Sequence, residues 1–230
     1  MINTRTLTIV ALGLVVSTQA LQGQDRSRYR DFQLGGDLPS VSALAKVAAS
    51  DAKTVHQRPA VIQELEWRPP YFTSGSTAPQ NDPVRQIVFS FYNDQLYRLV
   101  IDYDRTRTEG LTDADMIEAI SAAYGSPSKV PPKAGVARPQ VVQESGSPVA
   151  RWGDGDYSVV LYRSLYASGF RLIMTSVRLD SLARTADARA LRLDELDAPK
   201  REIARQKKEA DDTRAAREKA RLANKAAFRP

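Results

Sequence analysis

The chain has 230 residues, of which 42% are apolar and 26% charged, and it contains no cysteine. That balance suits a soluble globular protein of one ordinary domain or two small ones, not a chain disordered throughout or built of membrane spans. Without cysteine there is no disulfide, thiolate metal site, cysteine nucleophile or lipid-bearing cysteine. The formal net charge of +6 is unevenly spread: residues 181–230 hold fourteen Lys and Arg against nine Asp and Glu, so the body before them is close to neutral.

Residues 1–20 read as a secretory signal. Arg5 gives the positive start, Leu7 to Val16 an apolar core too short to span a bilayer, and Thr18-Gln19-Ala20 a cleavage site after Ala20. Residues 21–31 are a polar lead-in. Phe32 to Gly36 reads as a short strand and turn, and Asp37-Leu38-Pro39-Ser40 as a helix start with Asp37 as cap. Val41, Leu44, Ala45 and Ala48 are the expected buried stripe of that helix. Thr54 to Gln57 and Val61 to Trp67 follow as strands, then a flexible loop over 71–82.

The stretch 83–125 carries the strongest pattern. Val84 to Phe91 and Leu96 to Tyr103 are β-branched and aromatic runs, separated by Tyr92-Asn93-Asp94-Gln95, whose Asn and Asp tolerate the left-handed backbone of a hairpin turn. Ile87, Phe89 and Phe91 share one face, as do Leu99, Ile101 and Tyr103. Thr112 then caps a helix with Asp113 and Asp115 in its first turn, Ile117, Ile120 and Tyr124 on its apolar face, and a left-handed Gly125 at its end. A loop over 128–140 leads to strands at Gln140 to Gln143, Val149 to Trp152, Tyr157 to Tyr162 and Phe170 to Leu179. From 181 the grammar changes to Ala, Arg, Lys, Glu and Asp without glycine, the composition of a charged helix, coiled coil or partly disordered tail. Large apolar residues are sparse there, so this tail is expected to be dispensable for folding, with Leu191, Leu193 and Leu196 holding its start.

The fold class is therefore α+β: small antiparallel sheet packed by short helices over 32–180, with two α-β-β-β halves at 32–110 and 111–180, and a charged helix over 181–230. The motifs Leu34-Gly35 before a helix, Tyr124-Gly125-Ser126-Pro127 after one, and the hairpin Phe91-Tyr92-Asn93-Asp94-Gln95-Leu96 resemble small bacterial envelope modules. These are the outer-membrane-assembly lipoprotein E type and the β-lactamase-inhibitor-protein type. The missing cysteines depart from both. The resemblance implies a protein-binding or scaffold role and transfers no functional residue.

Candidate chemistry has an ordinary reading beside each functional one. His56 is the only histidine and sits in a strand, where a hydrogen-bonded edge histidine is commoner than a triad member or metal ligand. Glu64 and Glu66 project from one face and could pair for glycoside cleavage, but fit a solvated face opposite Leu65 and Trp67. Asp102 and Asp104 have the same spacing and the same reading. Asp154-Gly155-Asp156 suggests a calcium loop, but Leu165 stands where its bidentate glutamate is needed, and a polar turn suffices. No residue is assigned as catalytic, cofactor-binding or metal-ligating. The expectation is a periplasmic or secreted envelope protein that binds another envelope protein without catalysis. The alternatives are a small carboxylate-dependent hydrolase, or a structural module whose basic tail touches anionic membrane or cell wall. Nucleic acid is not an expected partner, and no span remains once the signal is removed.

Overall fold

A computed structural model describes residues 25–69, 82–128, 146–163, 169–227 and 229. Its centre is the hairpin of β5 (Val84–Tyr92) and β6 (Gln95–Tyr103), the numbering following the chain from β1 (Arg28–Tyr29) and β2 (Phe32–Gln33) through β3 (Lys53–His56) and β4 (Ile62–Trp67). Asn93 and Asp94 take φ of 45° and 67°, the left-handed pair a two-residue hairpin turn requires. Their side chains also anchor the neighbours: Asn93 Oδ1 accepts from the Val61 amide at 2.9 Å and Asp94 Oδ1 from the Leu38 amide at 3.0 Å. Leu96 exchanges backbone hydrogen bonds with Gly35 and Gly36 at 2.7 and 2.8 Å.

The second half adds β7 (Ser147–Gly153), β8 (Tyr157–Arg163) and β9 (Phe170–Ser176). The strands form one antiparallel sheet in the order β3-β4-β5-β6-β9-β8-β7. Read outward from the central β6–β9 pair, β6-β5-β4 on one side mirrors β9-β8-β7 on the other, with β3 as an extra edge. Each trio follows a short helix: α1 (Leu38–Ala45) before the first and α2 (Asp113–Tyr124) before the second. The α-β-β-β plan is thus written twice, and the fold is α+β.

Both helices, with the β1–β2 hairpin, serve one face of the sheet. The core there gathers Leu65, Ile87, Phe89, Phe91, Leu99, Ile101, Leu161, Leu172 and Met174 beneath Phe32, Val41, Met116 and Ile120. Phe32 meets Phe89 at 4.7 Å between ring centres. Thr112 caps α2 in a reciprocal box with Asp115, and Asp37 caps α1 through the Ser40 amide. Trp152 is buried, its indole N–H donating to Ser121 Oγ at 3.2 Å, whereas Trp67 is half-buried against the core.

Several expectations need correction. The buried stripe of α1 is Leu38, Val41, Ser42 and Ala45; Lys46 turns left-handed and ends the helix, which leaves Leu44 exposed and Ala48 off the helix. Met116, not Ile117, completes the inward face of α2 with Ile120 and Tyr124. Gly125 has a positive φ of 83°, but its ψ of −164° is not the left-handed helical conformation. The lead-in joins the fold from Ser27 onward: Tyr29 is buried, and Tyr124 donates its hydroxyl to the Arg28 carbonyl at 2.8 Å. Strand β9 stops at Ser176, because Ser176 pairs with Tyr157 and β8 offers no residue beyond it. The signal, the strand at Gln140 to Gln143, and nearly all of the loops at 71–82 and 128–140 lie outside the described residues.

From Val177 the chain enters α3 (Val177–Ala227). Its first turns dock on the sheet's second face. Leu179, Ala183, Ala186 and Ala190, spaced by four, three and four, are buried, and Leu179 and Ala183 cluster with Ile62 and Tyr97. Leu191 and Leu196, expected to hold the helix, are 57% and 64% exposed. The docked part therefore extends past 180. From 198 to 227 every residue is exposed, about 45 Å of helix at 1.5 Å per residue.

Candidate protein-binding surface

Side chains alternate across a strand, so the sheet's second face follows from the core positions. Between the core residues Phe89, Leu99, Leu172 and Leu161 stand Val88, Val100, Ile173 and Val160. The register aligns these four directly across β5, β6, β9 and β8. At strand spacings near 4.8 Å this is an apolar ladder about 14 Å long. Glu66 stands opposite Val88 at one end and Arg151 opposite Val160 at the other. One bordering row runs Glu64, Ser90, Arg98, Thr175 and Ser158; the other runs Gln86, Asp102, Arg171 and Tyr162. α3 covers the hairpin-turn end of this face. Val100 and Ile173 are buried, 8% and 7% exposed, outside the two main apolar clusters, and Val88 and Val160 are half-buried.

A β-bulge shapes the centre. The register shifts between Ser90 and Phe91, so Ser90 faces Arg98, Phe91 faces Leu96, and Tyr97 is the extra residue. Such an insertion re-aims side chains. Here it delivers Tyr97 and Arg98 to the same side, Tyr97 beneath α3 and Arg98 beside the ladder. Burial pushes the phenols of both Tyr97 and Tyr162 above their ordinary range, and the Arg98 charge opposes that rise at both. The Arg98 Nε is buried and has no hydrogen-bond partner, and no carboxylate among the described residues pairs with it. The Arg151 guanidinium likewise has no ion pair among them, though it too acts on Tyr162.

The residues singled out by sequence distribute as follows. Glu64 and Glu66 do share the open face, at one edge of the ladder, in a depression of about 410 Å³ lined also by Asp51, Lys53, Arg68 and Val88. Glu66 accepts from Arg68 and Glu64 from the Ser90 hydroxyl at 3.5 Å. Asp102 is not solvated: it is 8% exposed and held by the Arg171 fork, with Arg85 at 3.8 Å. Asp104 closes a turn by accepting from the Thr106 amide at 2.8 Å, and that residue's hydroxyl is the main cause holding its carboxyl below the ordinary range. His56 is an edge-strand residue whose Nε2 lies 3.4 Å from Asp187 Oδ1 on α3. Asp154 accepts from the amides of Asp156 and Tyr157 at 2.9 and 2.8 Å, the bonds of a tight turn. A Cβ on Gly153 would meet the Tyr157 carbonyl oxygen at 2.6 Å, so glycine is required there. Leu165 lies outside the described residues.

Arg98 and the ladder were missed by sequence reasoning. Alternation showed that Val88, Val100 and Ile173 oppose the core face, but only the register sets them side by side. Among the described residues no group of three or more His, Cys, Asp or Glu side chains could hold a metal ion. No described helix is long and apolar enough to cross a membrane. No family model, curated protein or solved structure matches this chain.

Proposed function

We propose that the chain is an exported bacterial envelope protein that binds another protein through the open face of its sheet, as a scaffold and not as a catalyst. The observation that carries this reading is the sheet face away from α1 and α2, where the register sets Val88, Val100, Ile173 and Val160 side by side, with Arg98 and Tyr162 in the bordering rows and Arg151 at one end. Tyrosine and arginine around a small apolar centre is the composition of protein-binding hot spots. Export is supported by the signal pattern of residues 1–20. The resemblance to small envelope modules points the same way.

The test places a photocrosslinking side chain at position 160 or 203 of the protein exported by a bacterial host. Crosslinks from 160 to a discrete second protein are expected; crosslinks from neither site would overturn the reading. The exposed helix 198–227 favours a second contact. It carries ten Lys and Arg against five Asp and Glu, five of the six net charges of the whole chain. Polybasic segments gain about 1 kcal/mol per residue near an anionic surface. Salt-sensitive sedimentation with phosphatidylglycerol vesicles, lost when 198–230 is removed, tests that contact.

A further inference from the structure

We infer that two copies of this chain pair through the exposed part of α3 as a parallel, two-stranded coiled coil. Along that part Leu196, Ile203, Ala210, Arg217 and Asn224 recur every seven residues. Gln206, Thr213, Ala220 and Ala227 follow three places after the last four of them, so the two rows are the alternating seam positions of a heptad. The seam runs for about four heptads, the length over which such a pattern specifies a coiled coil. At 3.6 residues per turn, Ile203, Gln206 and Ala210 lie on the opposite side of the helix axis from Leu179, Ala183, Ala186 and Ala190, which dock on the sheet. A second helix therefore fits along the seam with both sheets on the outside. Leu196 and Ile203, 64% and 67% exposed, are the large apolar side chains it covers. Beyond them a shallow depression of about 640 Å³ follows the helix, lined by Gln206, Ala210 and Thr213 with Glu209 on one flank and Arg214 on the other.

The flanking charges choose the occupant. Glu195, Glu202 and Glu209 immediately precede Leu196, Ile203 and Ala210 on one flank; Lys200, Lys207 and Arg214 immediately follow Pro199, Gln206 and Thr213 on the other. In a parallel pair in register, each glutamate faces the cation five places later on the second copy: Glu195 with Lys200, Glu202 with Lys207 and Glu209 with Arg214. An antiparallel pair sets glutamate against glutamate and cation against cation. Lys207 and Arg214 have no ion pair among the described residues, and Glu202 and Glu209 share Arg205 in water-exposed pairs that contribute little. The seam residues agree with this arrangement. Ile203 is the β-branched type that favours two strands, and Asn224 in the same row specifies register at a cost in affinity. An anionic surface or a wholly acidic helix would match the cations but repel the glutamates, whereas a second copy satisfies both flanks.

The chain has no cysteine, so a single introduced thiol reports a single contact. The purified protein is oxidised mildly as Ala220→Cys, in the seam, and as Ala215→Cys, on the opposite side of the helix. Both positions are exposed, so neither change should move the melting temperature of the domain. A parallel pair brings the two thiols at 220 together with their Cα atoms inside the roughly 7 Å that a disulfide spans, and should link them several-fold faster than those at 215. Adding Lys207→Glu and Arg214→Glu to Ala220→Cys should abolish that preference, and so should adding Glu202→Lys and Glu209→Lys. Mixing the two charge variants should restore it, with one chain of each kind in the linked product. Equal linking at 215 and 220, or a preference that survives in either charge variant alone, would overturn the proposal. Linking at 220 that requires phosphatidylglycerol vesicles would also overturn it, because the lipid surface and not the seam would then gather the helices.

Discussion

Ending the chain after Asp180 should destabilise the domain, whereas ending it after Ala198 should not. The cut after Asp180 removes Ala183, Ala186 and Ala190 from the sheet. At about 0.8 kcal/mol per buried methyl or methylene group, the three methyls contribute roughly 2–2.5 kcal/mol. Uncovering Ile62 and Tyr97, now 3% and 7% exposed, and losing the Asp187 partner of His56 bring the total to roughly 3–5 kcal/mol. For a protein of this size that is a fall of about 6–20 °C in melting temperature. The cut after Ala198 removes, among the described residues, only exposed ones, whose pairs, such as Arg205 with Glu202 and Arg221 with Glu218, contribute a few tenths of a kcal/mol each to local helicity. Thermal melts followed by circular dichroism at 218 nm, where the sheet dominates, separate the two cases. Equal melting temperatures for the two truncations would refute the docking of α3 as a contribution to stability.

Phe89→Ala opens a cavity at a fully buried site between Phe32 and the sheet and should cost about 3–5 kcal/mol in denaturant melts; a loss below about 1 kcal/mol would contradict the packing. Thr112→Ala removes the hydroxyl half of the α2 capping box and should cost about 0.5–2 kcal/mol, seen as a lower urea midpoint with an unchanged slope. Asp82 accepts from both nitrogens of the Arg30 fork at 2.7 and 2.9 Å, the main reason its carboxyl sits below its ordinary value of 3.8. A depressed folded pKa gives stability that is complete above the unfolded value and lost as pH falls through the folded one. The difference in urea midpoint between the protein and Asp82→Asn should therefore hold from pH 7 to about 5 and shrink below about pH 4; a difference that grows on acidification would refute the pairing.

The local elements were legible in the sequence because their causes are local. Asn93-Asp94 fixes the hairpin turn, Thr112 and Asp115 the start of α2, Asp37 and Pro39 the start of α1, and alternation of β-branched and aromatic residues assigns Phe89, Leu99 and Leu172 to one face. Even the repeated α-β-β-β plan follows from the order of such signals. What the tertiary structure alone decided depends on residues distant in the chain. The end of β9 at Ser176 is set by where β8 begins to offer partners, and α3 docks through alanines that count for little by hydrophobicity. An alanine lets a helix approach a sheet closely, while Leu191 and Leu196 fall on the wrong side of the stripe to touch it. Asp102 shares the spacing of a surface carboxylate, and only the pairing of β6 with β9 brings Arg171 beside it. The ladder belongs to the same class: four apolar residues from four strands come side by side only through register, and a one-residue bulge decides that Tyr97 joins Arg98 on that face.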